Sequence, residues 1–509
     1  MSGAGDHGDG IALPPVPEGV EPAEVLSAAQ LGDRELWCAY RPLNDEGNAG
    51  RLVERWGHEL RWAAEHGWYG WDGRRWSRWR GEAIARERAM RMAAAVAGEA
   101  DALLRQRGEA AADRVAQLRK WRVGSGSRSH IDGALVLAQG ALQVAVSDFD
   151  GRPDDLAVAN GLVTLGPAPR FKAKGWAAER LGTRLCTAGY DPGAACPRWL
   201  DFLADVQPDI AIREFLWRWW GYCITGHISE QVLVLHYGTG ANGKSTALDV
   251  ITHVLGDYAA LLPFEAMLED RFKSASGPSP DIARLPGARF VISSEPDPGR
   301  SLAESQIKRL TGETALLARA LRQDFFEFRP QFKLNLAANK RPRVSGQDHG
   351  TWRRILLVPW RVRVEEPVRG LAQTIIAEET DGVLAWLIAG AAEWYRRGLS
   401  PPAAIEAATA IYRGDNDPVG TFIAECCEWV PDVQIRARAL YDAYEVYCRA
   451  NAIDPLSKRG FGVALSDKGI ERLRNDGIVY VGLRLRGGVL DELRGGTGDD
   501  AATVERIDG

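Results

Sequence analysis

Apolar positions fall at helical spacing over 82–122, "EAIARERAMRMAAAVAGEADALLRQRGEAAADRVAQLRKW", where Ala, Leu and Met are interleaved with Glu and Arg. That period predicts two or more amphipathic helices. Upstream, 26–80 is dense in tryptophan: Trp37, Trp56, Trp62, Trp68, Trp71, Trp76 and Trp79. Asp72-Gly73 between aromatic runs predicts a hairpin. Residues 125–210 read as short strands and turns, and 211–227 as a Trp-rich helix. Apolar runs at Val232–Tyr237, Ala288–Ser294, Phe332–Pro342 and 355–358 then predict the strands of an α/β core. Residues 370–413 read as helical. Within them "VLAWLIAGAAEW" is too short to span a bilayer, carries Glu393, and predicts a buried helix. Asp415 to Pro418 punctuates a boundary, and 419–486 reads as a helix–helix–helix–hairpin unit.

These patterns divide the chain into a disordered tail (1–25), a Trp-rich and helical N-terminal domain (26–122), an α+β linker or collar (123–227), an α/β core domain (228–413), a further small domain (414–486) and a second disordered tail (487–509). Tryptophans beside arginines, as in "WYGWDGRRWSRW", fill a small core or stack on bases, and filling a core is the commoner use. In "SDFDGRPDD", Asp148 and Asp150 form a carboxylate pair with no third ligand near them, and a turn is the simpler reading.

Composition narrows the classes. The chain has 509 residues, 45% hydrophobic, with net charge -5. It is not coated in positive charge, so any nucleic-acid contact is local, as in a lined channel or patch. Its seven cysteines form no CxxC pair and no zinc-ligand spacing with histidine, which argues against a zinc-ribbon module and for thiols in a reducing cytosol. The N-terminus is acidic and Gly/Pro-rich, unlike a signal peptide, and no run of about 18 apolar residues predicts a membrane span.

The most specific chemistry lies at Gly238-Thr239-Gly240-Ala241-Asn242-Gly243-Lys244-Ser245, followed by Thr246. It matches G-x-x-x-x-G-K-[ST] between a strand and a helix. Glycines let backbone N–H groups turn in around phosphate oxygens, and the helix adds its positive end. Lys244 is placed for the β- and γ-phosphates of ATP, and the Ser245 hydroxyl for Mg²⁺. Glu295 follows the next strand and can order the metal shell and the attacking water; alone, it would read as a surface glutamate. Asn339 ends a third strand and can touch the γ-phosphate or the water. Arg353 and Arg354 precede a fourth and can project towards a neighbouring subunit's nucleotide, or simply face solvent. "ALLARAL" and "FFEFRPQFK" can pair as strands across Arg322-Gln323-Asp324. The segment 319–343 holds Arg319, Arg322, Arg329, Lys333, Lys340, Arg341 and Arg343 against Asp324 and Glu327. That excess suits a loop tracking a phosphate backbone, or a basic solvated surface.

The order of loop, strand-Glu, basic hairpin, strand-Asn and Arg-Arg resembles the superfamily III helicases. It is most similar to their phage and plasmid primase-helicase branch, which is related to the poxvirus-type ATPases. "GTGANGKST", "FFEFRPQFKLNLAANKRPRV" and "TWRRILLVPW" carry the likeness, and "NDEGNAGRLVERWG", "ANGLVTL" and "LYDAYEVYCRANAIDPLSKRGFGVAL" extend it over roughly 30–486. The resemblance implies an AAA+-like P-loop core followed by a winged-helix domain over 414–486. It implies a hexameric ring with ATP between subunits and single-stranded DNA in the channel. By position, Lys244 and Ser245 bind phosphate and Mg²⁺, Glu295 is the Walker-B-type acid and second metal-shell residue, Asn339 the sensor, and Arg354, then Arg353, the finger. Arg319, Arg322 and Gln323 fall at the DNA-gripping hairpin, and Lys458 and Arg459 lead a recognition-type helix for origin DNA. Two departures stand out: Thr311-Gly312-Glu313-Thr314 moves an acid by one place, and Gln323 replaces the usual hairpin-tip lysine. About thirty residues precede the Trp-rich part, so no upstream primase domain is expected and a separate primase joins the list of partners. The resulting expectation is an ATP-dependent replicative helicase of a phage, plasmid or integrated element, in a bacterial cytoplasm. The alternative is an origin-binding scaffold that nucleotide merely holds together.

Overall fold

The computed structural model describes residues 34–105, 109–268, 279–294, 301–320, 324–344, 348–451, 453–475 and 477–488. The tails expected at 1–25 and 487–509 lie outside the described residues, except 487–488. Contacts gather the chain into two units, one of 1–149 with 177–183 and one of 150–176 with 184–509.

The first unit contains α1 (Arg34–Ala39), α2 (Asp45–Trp56), β1 (Leu60–Ala63), β2 (Gly67–Trp71), β3 (Trp76–Ser77), α3 (Gly81–Leu104), α4 (Glu109–Ser125) and α5 (Arg128–Ala138). Asn44 caps α2, its side chain accepting from Gly47 N at 2.9 Å. The Asp72-Gly73 hairpin forms as its residues predict, with Trp71 opposite Trp76 and Gly73 at φ +96°. Asp72 Oδ1 accepts from both Arg74 N and Arg75 N at 3.0 Å. Helix α5 falls where only strands and turns were expected. Its apolar positions, Ile131, Ala134, Leu135 and Ala138, keep helical spacing but span only three turns. Leu52, Leu60, Trp68, Ile84, Met92 and Leu135 share a core. Beside it lies a buried ion network. Arg51 Nε meets Glu99 Oε2 at 2.8 Å with both side chains fully buried, and Arg55 bridges Glu99 at 3.2 Å and Glu35 at 2.5 Å.

The second unit begins with an antiparallel meander, β4 (Asp155–Val158), β5 (Gly161–Thr164) and β6 (Arg170–Ala173), then α6 (Pro197–Val206) and α7 (Ile210–Cys223). A sheet follows, made of β7 (Leu233–Tyr237), β8 (Ala259–Leu261), β9 (Phe290–Ser294), β13 (Lys333–Ala338) and β15 (Ile355–Pro359). Its strands are all parallel, in the spatial order β15-β7-β13-β9-β8. Helix α8 (Lys244–Leu255) follows β7. Between β9 and β13 come β10 (Ser301–Leu302), α9 (Glu304–Gly312) and the hairpin of β11 (Leu316–Arg319) with β12 (Phe325–Phe328), paired from Leu316↔Phe328 to Arg319↔Phe325. β14 (Arg343–Val344) and α10 (His349–Trp352) lead into β15.

Helices α11 (Leu371–Arg397) and α12 (Ala403–Asp415) complete the layer that packs on the sheet. Helix α7 is apolar nearly all round, as a buried helix must be, and it crosses α11 at a glycine pair. A Cβ on Gly390 would lie 2.3 Å from Trp217 O, and one on Gly221 2.2 Å from Ala391 N. Gly390→Val is therefore expected to cost about 1–3 kcal/mol through forced separation of the two helices, read as a lowered urea midpoint.

The chain ends in α13 (Pro418–Cys426), β16 (Cys427–Arg436), α14 (Ala437–Ala450), α15 (Lys458–Asp467), β17 (Arg472–Asn475) and β18 (Gly477–Leu485). Phe422, Tyr444 and Phe461 form its core, with Tyr444 and Phe461 stacked at 4.6 Å. The long strand β16, which pairs antiparallel with β18, was not legible in the sequence. Only Cys427 in it is buried, the rest being half-buried or exposed, so its residues show no clean alternation of apolar and polar positions.

Candidate functional site: a glycine-rich loop at the carboxyl edge of the sheet

Strand β7 runs between β15 and β13 in the sheet and ends at Tyr237. The chain then turns through 238–243 and enters α8 at Lys244. The turn is tight because three residues take left-handed conformations: Gly240 (φ +98°), Ala241 (φ +49°) and Gly243 (φ +81°). Gly238 is required by close approach as well, since a Cβ there would sit 2.3 Å from Trp360 O. No side chain caps α8. A helix that starts from a glycine cap has no capping side chain, the arrangement an anion completes.

Lys244 is 5% exposed. Its ammonium donates to Gly238 O at 2.6 Å, Asn242 Oδ1 at 3.0 Å and Asn339 Oδ1 at 3.2 Å. Asn339 thus comes to the loop from the end of β13, the strand directly beside β7. Ser245 is exposed in the first turn of α8, and Thr246 half-buried beside it. Strand β9 ends at the same sheet edge, Ser294 lying opposite Ala337, but Glu295 itself lies outside the described residues. Among the described residues, no group of three or more His, Cys, Asp or Glu could hold a metal ion. A phosphate-bound Mg²⁺ needs no such group, because it takes one or two protein oxygens and fills its shell with phosphate and water. The uncapped helix start, the buried ammonium and the exposed Ser245 hydroxyl fit a Mg²⁺-nucleotide.

Beneath the loop lies a buried polar network. The Trp360 indole N–H donates to His236 Nδ1 at 3.3 Å, so the imidazole carries its proton on Nε2 and donates to Asn335 Oδ1 at 3.2 Å. Asn335 Oδ1 also accepts from the Trp219 indole at 2.7 Å. Burial pushes His236 down to about 4 against the opposing Asn335 hydrogen bond, and the nearby Lys244 charge adds to that fall, so the ring is neutral near pH 7. The backbone of Trp360 continues the network, its N–H donating to Tyr237 O at 2.7 Å and its carbonyl accepting from Asn242 Nδ2 at 3.4 Å. The loop is thereby held at both ends. None of His236, Asn335, Trp219 or Trp360 was singled out from the sequence. A signal was present, since a lone His in "LVLHY" and a lone Asn in "KLNLAA" are polar residues in buried strands and must find partners.

Arg353 and Arg354 precede β15. Because β15 runs parallel to β7, from Ile355↔Leu233 to Pro359↔Tyr237, the two arginines sit at the opposite edge of the sheet from the loop. Five residues at about 3.3 Å each separate them from it by roughly 16 Å. Arg353 is exposed and donates to Gln231 Oε1 at 3.0 Å. Arg354 is half-buried and donates to Gly350 O at 2.9 Å and Gln231 Oε1 at 3.3 Å. Burial, then Arg353, lower its pKa. Gln231, which joins the pair, carried no sequence signal.

The basic segment 319–343 is less uniform than its composition suggests. Lys333 is buried, its ammonium donating to Gln331 O at 2.8 Å, His227 O at 3.3 Å and Thr225 O, and burial depresses its pKa well below the usual lysine value. Arg341 pairs with Asp415 and lies over the Tyr237 ring, and Arg343 faces Asp454 at 3.5 Å. Arg329 and Lys340 are exposed, and Arg319 lies over the Phe325 ring on the hairpin. Arg322 and Gln323 lie outside the described residues. At the far end of the unit, Lys458 and Arg459 are exposed in the first turn of α15, capped by Ser457. All seven cysteines are free and buried. Asp148 lies in a short 3₁₀ turn, its carboxylate accepting from Ala145 N, and Asp150 follows at φ +56°.

Comparison with known proteins gives the class. Residues 49–208 match the D5 N terminal like family, and 414–470 match the poxvirus D5 protein-like family. The two matches flank the sheet and its loop. Over those two stretches the chain is similar to D5-type proteins, in line with the resemblance its motifs carry. "Putative helicase L207/L206" of Acanthamoeba polyphaga mimivirus is 34% identical over 31% of this chain and 16% of its own length. "Putative helicase 022R" of Frog virus 3 is 27% identical over 50% of this chain and 28% of its own. "Putative primase C962R" of African swine fever virus is 24% identical over 41% and 22%. The chain thus spans between about a sixth and just over a quarter of these relatives. They come from large DNA viruses, and they lend no support to the phage, plasmid and bacterial-cytoplasm setting expected above. Among solved structures, the NrS-1 C terminal region is 9% identical over 65% of this chain and 96% of that one, with a TM-score of 0.34, too low to bear on the fold. Among the described residues, no helix is long and apolar enough to cross a membrane.

Proposed function

We propose that this chain is an ATP-dependent DNA helicase acting in replication, with 228–413 as an AAA+-like P-loop motor and 414–486 as a winged-helix domain. The observation that carries the reading is the meeting of Lys244 and Asn339 at the uncapped start of α8. When bound, Mg²⁺-ATP supplies the phosphoanhydride bond and part of the charge neutralisation. Residues 238–246 cradle the phosphates, and Lys244 turns its ammonium from Gly238 O to the β- and γ-oxygens. Ser245 and Glu295 order the metal shell, and Asn339 holds the attacking water or the γ-phosphate. Arg319, Arg322 and Gln323 on the β11–β12 hairpin grip single-stranded DNA, and Lys458 and Arg459 meet duplex or origin DNA through α15.

Arg353 and Arg354 begin at the wrong edge of the sheet to reach their own chain's loop. Any contact they make with nucleotide is to another copy's, which favours a ring, six-membered by resemblance, with composite sites. The test is ATP hydrolysis with and without single-stranded DNA by Lys244→Ala, by the double variant Arg353→Ala with Arg354→Ala, and by their mixture. Each alone is expected to be inactive. The mixture is expected to recover part of the wild-type DNA-stimulated rate, because some interfaces then pair an intact loop with intact arginines. A mixture as inactive as its parts, from chains shown to co-assemble, contradicts the composite site.

A further inference from the structure

The tryptophans of the N-terminal hairpin do not all serve the core. Trp68 and Trp76 are buried, and Trp71 packs against Trp76 at 5.8 Å. Trp79, three residues past Trp76, is 95% exposed. It stands on a turn closed by Arg80 N donating to Ser77 Oγ at 3.3 Å and Gly81 N donating to Arg78 O at 3.1 Å. The chain beyond is pinned, since a Cβ on Gly81 would lie 1.8 Å from Trp68 O. So large an apolar side chain, held on a rigid turn and left in water, contributes nothing to packing. Its neighbours are charged. Residues 72–80 carry Arg74, Arg75, Arg78 and Arg80 against Asp72 alone, and Asp72 is engaged with two backbone amides and with Arg75 at 3.5 Å. Arg74 and Arg80 are exposed. In a chain of net charge -5, this is a local excess rather than a general background.

We infer that the turn after β3 is a contact for single-stranded nucleic acid, on which the Trp79 indole stacks a base while Arg74, Arg78 and Arg80 lie along the phosphates. An exposed indole offers a flat π-face that any unpaired base can use, and arginines beside it supply phosphate attraction and cation–π support. A second copy of the chain is the weaker occupant, because a two-fold contact would press this arginine cluster against itself. The inference rests on the proposed handling of single-stranded DNA for the identity of its ligand. It adds a contact in the N-terminal unit, separate from the β11–β12 hairpin.

The experiment uses the full chain with a photoreactive benzophenone amino acid in place of Trp79 and a labelled oligothymidylate, without nucleotide. A cross-link from position 79 to the oligonucleotide, suppressed by rising salt and by unlabelled single strand more than by duplex, is the expected result. In parallel, Trp79→Ala is expected to weaken oligothymidylate binding about 5- to 100-fold. Replacement of Arg74, Arg78 and Arg80 by serine is expected to flatten the salt dependence. A cross-link to a second protein chain, or none to the oligonucleotide, overturns the inference. So does unchanged affinity in Trp79→Ala. Because the cross-link is read without nucleotide, a chain that does not hydrolyse ATP still tests this contact, and a missing cross-link leaves the reading of the loop untouched.

Discussion

Lys244→Ala is expected to lower ATP hydrolysis by at least about 10²–10³-fold, the range found when a single positioned donor to developing charge is removed. The chain should stay folded. The ammonium satisfies Gly238 O and Asn242 Oδ1 in buried hydrogen bonds and Asn339 Oδ1 in a half-buried one, so its loss costs about 1–3 kcal/mol, a small part of what a domain of this size can lose and stay folded. Two readouts separate chemistry from folding. Wild type should gain thermal stability with Mg²⁺-ATP, about 2.7 kcal/mol at a hundredfold excess over Kd, and the variant should gain much less. Without nucleotide, the two unfolding midpoints should lie within a few degrees of each other. Hydrolysis at the wild-type rate by a folded Lys244→Ala protein would remove the P-loop reading altogether.

The largest effect on stability is expected from Glu99→Ala. Glu99 is fully buried and receives Arg51 at 2.8 Å and Arg55 at 3.2 Å. Its loss leaves the fully buried Arg51 guanidinium with only the carbonyls of Pro42, at 2.9 Å, and Arg41, at 3.3 Å. Arg55 keeps its contact with Glu35. A buried charge stripped of its partner costs about 3–5 kcal/mol, well above the effect of an exposed pair. Urea unfolding followed by the fluorescence of the Trp68 and Trp76 region should show the earlier transition. Joint replacement of Arg51 and Glu99 by methionine should cost less than Glu99→Ala, because no charge is then left unpaired. Equal losses in the two proteins would show that packing, not charge, dominates at this site.

Much of the fold was legible because its signals are local. The helices over 82–122 follow from a 3.6-residue period, the Asp72-Gly73 hairpin from two turn residues, and β11–β12 from two apolar segments around a polar turn. Helices α5 and α6 and strand β16 were missed. The helices keep their period over too few turns for it to stand out, and β16 has only Cys427 buried, so its strand alternation is weak. At the candidate site, the loop was readable from eight consecutive residues, and Asn339 from its place after a strand. The network of His236, Asn335, Trp219 and Trp360 was not, because its two halves, Trp219 with His236 and Asn335 with Trp360, are about a hundred residues apart and meet only when β7, β13 and α7 pack together.

The sequence by itself determined the glycine-rich loop, four strands of the sheet in their chain order and the similarity to D5-type proteins. These depend on residues whose chemistry is set by their immediate neighbours. Only the tertiary structure decided which charges and aromatics are available to a ligand. It buries Lys333 under three carbonyls, ties Arg341 to Asp415, and places Arg353 and Arg354 at the edge of the sheet away from their own loop. It also seals Trp76 in the core while leaving Trp79 in water. The reason is physical: exposure and pairing are set by what packs against a side chain, and here those partners come from distant parts of the chain.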